Sequence, residues 1–255
     1  MKITLLLLCL MGTMSAQNAP KIQVHGHRGA RAMFPENTIP AFRYAIEAGV
    51  DTLELDVAVT KDNVLVVSHD PHLNPAICTA PAGAPTTIRE STLAELRKWD
   101  CGAKPNPAFP KQKAVPGTGV PTLDEVFDLA PLGKFDFNVE TKSFANHPEL
   151  TPIPAEFARM LLDTIRRHHL EARVIVQSFD FRTLYEMKKL DSAMPLSALY
   201  DGKETDLASI AGSAGAKIIS PHYRLVLPDR VRAAHASGIK VITWTANTPE
   251  IWDRL

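Results

Sequence analysis

The sequence predicts an α/β fold of the TIM-type (β/α)8-barrel class, and three observations carry that reading. Short β-rich runs alternate with helix-like segments from residue 22 onward, a length of 255 residues suits one such barrel, and 45% hydrophobic with 22% charged residues is ordinary globular composition. Lys+Arg and Asp+Glu both number 28, so the formal net charge is zero and no block of like charge stands out. That balance argues against nucleic acid or an acidic membrane surface as partner; any anion bound must be small and held locally.

The first residues have the three-part pattern of a secretory signal: Met1-Lys2, an apolar run over 3–11, then small residues to Ser15 and Ala16. Residues 1–16 therefore read as a signal peptide cleaved after Ala16 or Ser15, which predicts a secreted or periplasmic protein. The run is too short for a stable membrane span. Cys78 and Cys101 would remain in an oxidising compartment, either as two free thiols or as a disulfide closing a loop of roughly two dozen residues, worth about 3 kcal/mol.

The barrel is read over 21–255. Strands are expected near 22–25, 52–57, 135–140, 174–176, 196–199, 217–220 and 241–244, with helices over 37–48, 154–169, 182–190 and 228–236. One pair breaks the rhythm, because 52–60 and 64–69 are separated only by Lys61-Asp62-Asn63. A parallel crossover needs a dozen or more residues, so these two must form an antiparallel hairpin. A turn centred on Asp62 places His69 near Leu55, beside Glu54 and Asp56. Residues of about 71–121 are rich in Pro and Gly and hold one helix, 91–99, with Ser91 as its cap. The segment reads as an insertion across the barrel mouth that lacks an obvious core of its own.

The chemistry concentrates at strand ends. Glu54 and Asp56 are two apart on a strand and share one face, flanked by Leu53, Leu55 and Val57. Two buried carboxylates on one face repel unless a cation lies between them, so metal ligation is favoured over a solvated edge. Glu140 and Lys142 share a face at the end of the next barrel strand, a pairing that fits a metal-bridged phosphate or a simple surface ion pair. The first strand ends in His25-Gly26-His27-Arg28-Gly29, whose glycines let a ligand approach closely. His27 and His69 then flank the acids from opposite sides as candidate acid and base, and Arg28 suits bidentate contact with phosphate.

The set HRG (27–29), PENT (35–38), ELD (54–56), HD (69–70), ETK (140–142), QSF (177–179) and WTAN (244–247) resembles the glycerophosphodiester phosphodiesterase family, of the phospholipase-C-like barrel superfamily. The resemblance covers nearly everything after the signal, in the family's order. It implies metal ligation of one divalent cation, Ca2+ or Mg2+, by Glu54, Asp56 and Glu140. It further implies acid/base catalysis by His27 and His69, phosphate binding by Arg28 and Lys142, and a glycerol pocket walled by Trp244. The implied reaction is hydrolysis of a small-molecule glycerophosphodiester to an alcohol and sn-glycerol 3-phosphate, either by direct water attack or through a cyclic phosphate.

Other readings make different demands. The His25-x-His27 pair also occurs in metal-dependent amidohydrolases, which want further histidines on later strands; none is suitably placed. A non-catalytic secreted glycerol-phosphate-binding protein, or an inactive truncated fragment, would keep the pocket without turnover. The chain stops in what reads as the helix after the seventh parallel strand, where the family continues to a last strand of the GVDGIITD kind, so the barrel is expected to lack its final strand.

Overall fold

A computed structural model describes residues 22–255; the signal-like segment 1–16 lies outside them. The elements in order are β1 (His25–Gly26), α1 (Ile39–Glu47), β2 (Thr52–Val59), β3 (Leu65–Val67), α2 (Leu93–Leu96), α3 (Leu123–Phe127), β4 (Asp136–Thr141), α4 (Pro154–Arg167), β5 (Val174–Ser178), α5 (Phe181–Leu190), β6 (Leu196–Tyr200), α6 (Leu207–Ser213), β7 (Ile218–Pro221), α7 (Pro228–Ala236), β8 (Lys240–Val241) and α8 (Pro249–Arg254). The parallel strands follow the order β1-β2-β4-β5-β6-β7-β8, and β3 pairs antiparallel with β2. The sheet curls as a barrel does: the Thr245 hydroxyl lies 3.4 Å from His27 Nδ1, reaching from the segment after β8 to the end of β1. Among the described residues β1 and β8 do not pair with each other. No helix among them is long and apolar enough to cross a membrane.

Alternation along the strands separates two buried environments. On β2, Leu53, Leu55, Val57 and Val59 join Phe42, Phe137, Phe157 and Leu161 in the main core between sheet and helices. Thr52, Glu54 and Asp56 point to the other face, inside the barrel, and are equally buried. The same inner face carries Asn138 and Glu140 of β4, in register with Glu54 and Asp56. Each large apolar side chain buried on the outer face contributes about 1.5–3 kcal/mol, so the polar interior is carried by a strong outer layer. α4 shows the helical counterpart, burying Phe157, Ala158, Leu161, Leu162 and Ile165 along one stripe.

The insertion departs from its expected form in two respects. Its helix is the single turn α2, capped by Thr92 and not Ser91: Thr92 Oγ1 accepts from Glu95 N–H at 3.3 Å while Glu95 accepts from Thr92 N–H at 2.7 Å. Only Thr92 has a glutamate three residues on, so only Thr92 closes a capping box; Ser91 instead donates to the Thr87 carbonyl. The segment also has a core of its own, in which Leu73, Cys78, Ile88, Leu96, Trp99 and Val120 pack with Ala58 and Val66 of β2 and β3.

A disulfide joins Cys78 to Cys101 within that small core. Replacing both cysteines with serine is expected to lower stability by about 3 kcal/mol through loop entropy, read as a shift in the denaturant midpoint; a shift below about 0.5 kcal/mol would contradict a structural role for the bridge.

Candidate active site

Strand register builds the site. Asp56 sits beside Glu140, and Glu140 beside Gln177, on three adjacent parallel strands. Glu54, Asp56 and Glu140 each offer a carboxylate oxygen within 4.8 Å of the others, and all three are buried. The other edge of β2 brings in the histidines. Its lower part pairs with β1 and its upper part with β3, while Gly29 N–H donates to the Glu54 carbonyl and Ser68 N–H to the Asp56 carbonyl in between. His27 thus rises from β1 and His69 descends from β3 along one edge, not from opposite sides of the carboxylates. Register pairs Val57 with Val67 and so sets position 69 against 55.

The loop after β1 packs tightly against itself and α1 at its glycines, which therefore serve backbone packing and not the approach of a ligand, and it turns through two left-handed non-glycine residues. A Cβ at Gly26 would lie 2.7 Å from the Gly29 carbonyl oxygen, and one at Gly29 2.8 Å from the Ala41 backbone. Arg28 itself takes φ 51° and Asn37 φ 56°. The twist lets Arg28 N–H donate to Glu54 at 2.9 Å and its guanidinium to Glu36 at 2.8 Å, with Nε 3.4 Å from Asp56. Asn37, a residue that tolerates the left-handed region, donates to Asp56 at 2.9 Å. Lys142 Nζ donates to Glu140 at 2.7 Å and lies 3.7 Å from Asp56.

The electrostatics divide the three acids. Burial pushes Glu54 well above the ordinary carboxylate range, with Asp56 and Glu140 adding to the rise. Burial likewise raises Glu140, to about 7, although Lys142 opposes it. Asp56 goes the other way: burial is overcome by Lys142, Arg28 and His69, and its carboxyl stays below the usual range. One acid is held ionised and two are poised to carry protons, a donor set that an oxygen-seeking divalent cation would convert to full ionisation. Among the described residues Asp56 Oδ1 is buried with no hydrogen-bond partner, its charged neighbour Lys142 Nζ standing 3.7 Å away.

His27 Nε2 is 3.8 Å from Glu54 Oε2, and burial, then Arg31 and Arg28, bring its pKa down to about 3. His69 Nδ1 is 2.6 Å from Asp70 Oδ1, which fixes the ring and leaves Nε2 for other partners. Trp244 donates from Nε1 to the Ser220 carbonyl and meets Phe179 edge-on at 5.5 Å between centroids, forming an aromatic wall.

The structure adds a relay that pattern reading reached only in part. Gln177 donates to Glu54 at 3.0 Å and accepts from Asn138 at 3.0 Å, so each amide fixes the other's orientation and both fix Glu54. Ser197 and Ser220 hydrogen-bond at 2.7 Å further round the barrel. Polar residues alternating with apolar ones on buried strands, as in Phe137-Asn138-Val139-Glu140, were the available signal. His25, by contrast, lies beside Thr52 in register, one layer below Glu54, and is not one of the grouped candidate ligands, as an amidohydrolase reading would require.

Among the described residues His25 Nδ1 is buried without a hydrogen-bond partner, and burial lowers its pKa to about 4 against a smaller upward pull from Asp51. The native imidazole therefore stays neutral while the unfolded one takes a proton below about pH 6.5. Stability should fall by up to about 3 kcal/mol between pH 6.5 and pH 4 on this account. His25→Leu is expected to flatten that dependence, measured as denaturation midpoints across this range; an identical pH slope in the variant would refute the assignment.

The chain matches the family model described as the glycerophosphoryl diester phosphodiesterase family over residues 27–255. A glycerophosphodiester phosphodiesterase of Caldanaerobacter subterraneus subsp. tengcongensis is 32% identical over 236 residues, 92% of this chain and 90% of that protein. One from Bacillus subtilis is 30% identical over 251 residues, 92% of this chain and 80% of that protein. The solved structure of a Silicibacter pomeroyi DSS-3 protein with the same family assignment superposes with a TM-score of 0.82 at 34% identity, covering 90% of this chain and 84% of that one. An Oleispira antarctica phosphodiesterase solved with sn-glycerol-3-phosphate shares the fold, with a TM-score of 0.75 at 21% identity over 90% of this chain and 87% of that one.

Proposed function

Because the chain belongs to the glycerophosphoryl diester phosphodiesterase family, we propose that it hydrolyses glycerophosphodiesters to sn-glycerol 3-phosphate and an alcohol, aided by one divalent cation, Ca2+ or Mg2+. The observation that carries this reading is the convergence of three buried carboxylates with two histidines, Arg28 and Lys142 on one rim of the barrel. Glu54, Asp56 and Glu140 would hold the cation. An all-oxygen set with an open Asp56 Oδ1 suits a hard ion. When bound, it supplies positive charge to a phosphoryl oxygen and neutralises the acids.

The chain's own residues do the rest. Arg28 and Lys142 hold the phosphate oxygens, and Trp244 with Phe179 packs against the glycerol carbons. His27, kept neutral by burial, accepts the proton of the attacking oxygen, water or the neighbouring glycerol hydroxyl, as that oxygen bonds to phosphorus. The bond from phosphorus to the departing alcohol breaks, and His69, oriented by Asp70, gives its proton to the alkoxide. Where the glycerol hydroxyl has attacked, water then attacks phosphorus, giving its proton to His69, and the bond to that hydroxyl oxygen breaks as His27 returns the proton, leaving glycerol 3-phosphate. The signal-like first sixteen residues support a secreted or periplasmic setting.

Release of glycerol 3-phosphate from glycerophosphocholine tests the reading. Activity is expected with Ca2+ or Mg2+, lost by at least about 100-fold in excess EDTA and restored by adding the ion back. Full activity in EDTA would refute the metal assignment, and no release with any divalent ion would refute hydrolysis.

A further inference from the structure

Asn37, on the loop between β1 and α1, takes no part in the proton transfers, yet it is only 4% exposed and its amide reaches the acid cluster. Its backbone is left-handed, at φ 56°, and its N–H donates to the Arg28 carbonyl at 3.0 Å. The loop around it is pinned as well. Thr38 caps α1 by accepting from Ala41 N–H at 3.4 Å, and Gln112 of the insertion donates to the Arg31 and Phe34 carbonyls at 2.6 and 3.1 Å.

The side chain does not do what a turn asparagine does. Such residues bond the backbone two positions on. Among the described residues the Asn37 side chain makes one hydrogen bond, from Nδ2 to Asp56 Oδ2 at 2.9 Å, and its own Oδ1 is buried without a hydrogen-bond partner. A buried amide with its acceptor unused costs stability and calls for a reason elsewhere. A carboxylate only accepts, so the NH2 end must face Asp56.

Two cations reach the same carboxylate. Arg28 Nε lies 3.4 Å from Asp56 Oδ2, and Lys142 Nζ 3.7 Å from Oδ1. The torsion that turns a carboxylate about its Cβ–Cγ bond is broad, so without a further hold the group would swing into a closer pair with one of them. The Asn37 amide bonds Oδ2 from a fixed backbone. That leaves Oδ1, which has no hydrogen-bond partner among the described residues, as the oxygen on offer.

The geometry points to Asn37 as a positioning residue for the cation site: it fixes the plane of the Asp56 carboxylate so that Oδ1 serves the divalent ion instead of closing an ion pair with Arg28 or Lys142. The inference rests on the phosphodiesterase reading above. Asn37 acts through Asp56 and does not itself ligate the ion.

The left-handed backbone lets experiment separate this role from that of a turn. Glycine adopts such a φ freely and alanine does not, so Asn37→Gly removes the amide and spares the loop, while Asn37→Ala removes the amide and strains it. On the full chain, calorimetric titration with Mg2+ or Ca2+ is expected to give a Kd about 10- to 100-fold weaker in both variants. The denaturation midpoint without cation should fall further for Asn37→Ala than for Asn37→Gly. Release of glycerol 3-phosphate from glycerophosphocholine by Asn37→Gly should be depressed at limiting cation, and at saturating cation both kcat and KM should return to within about threefold of native. Native affinity in Asn37→Gly, as a turn role would give, overturns the inference. So does a kcat defect that persists at saturating cation, as direct contact with substrate would give. A native chain that binds no divalent ion overturns the cation reading and this inference with it.

Discussion

His69→Ala is expected to lower kcat on glycerophosphodiesters by about 10²- to 10⁴-fold, the range for loss of a true acid or base. The imidazole is fixed through Nδ1 by Asp70 and arrives after the descending strand of the hairpin, which leaves Nε2 to carry the proton. His27→Ala should fall in the same range, because Arg28 and Arg31, its cationic neighbours, cannot accept a proton. The double variant should be far less than multiplicatively worse, since the two rings serve one proton transfer sequence. Single-turnover rates on glycerophosphocholine measure this. A loss below about tenfold for either single variant would remove that histidine from the chemistry.

Asp56→Asn is expected to abolish divalent-cation binding and, with it, measurable turnover. Asp56 is the acid that the site keeps ionised, through Lys142 and Arg28, and it offers a carboxylate oxygen within 4.8 Å of those of Glu54 and Glu140. The neutral amide offers one acceptor oxygen without charge, and its NH2 group would face a donor in either orientation, Lys142 at one position or the Asn37 amide at the other. Glu140→Gln should weaken binding in the same direction. Calorimetric titration with Mg2+ or Ca2+ reads the effect, and titration curves matching the native chain would exclude Asp56 as a ligand.

Much of this site was legible because its chemistry is local in sequence. Glu54 with Asp56, and Glu140 with Lys142, are two-residue spacings on strands, and alternation puts each pair on one face. His69 was placed by turn geometry, since three residues between two strands permit only a hairpin. That both histidines follow one edge of β2 was not legible, because which strand occupies which edge is a property of the whole sheet. The Asn138–Gln177–Glu54 relay depends on register between β4 and β5 and on side-chain direction. The insertion was the least readable part. Its core borrows Ala58 and Val66 from the barrel, and its hold on the Arg31 loop is made by Gln112, a polar residue buried by hydrogen bonds to carbonyls about 80 positions away in sequence. Neither contact has a periodic signature.

The coupling of cation binding to proton release tests the central claim most directly. Without a cation burial pushes Glu140 up to about 7 and Glu54 well above the ordinary carboxylate range, so an ion that needs both as carboxylates must displace protons. Titrating the full chain with Mg2+ or Ca2+ at pH 6 and pH 8, in buffers of different ionisation heat, should show tighter binding at pH 8 and net proton release at pH 6. Absence of binding at both values, or an affinity independent of pH without proton release, would contradict a cation held by Glu54, Asp56 and Glu140.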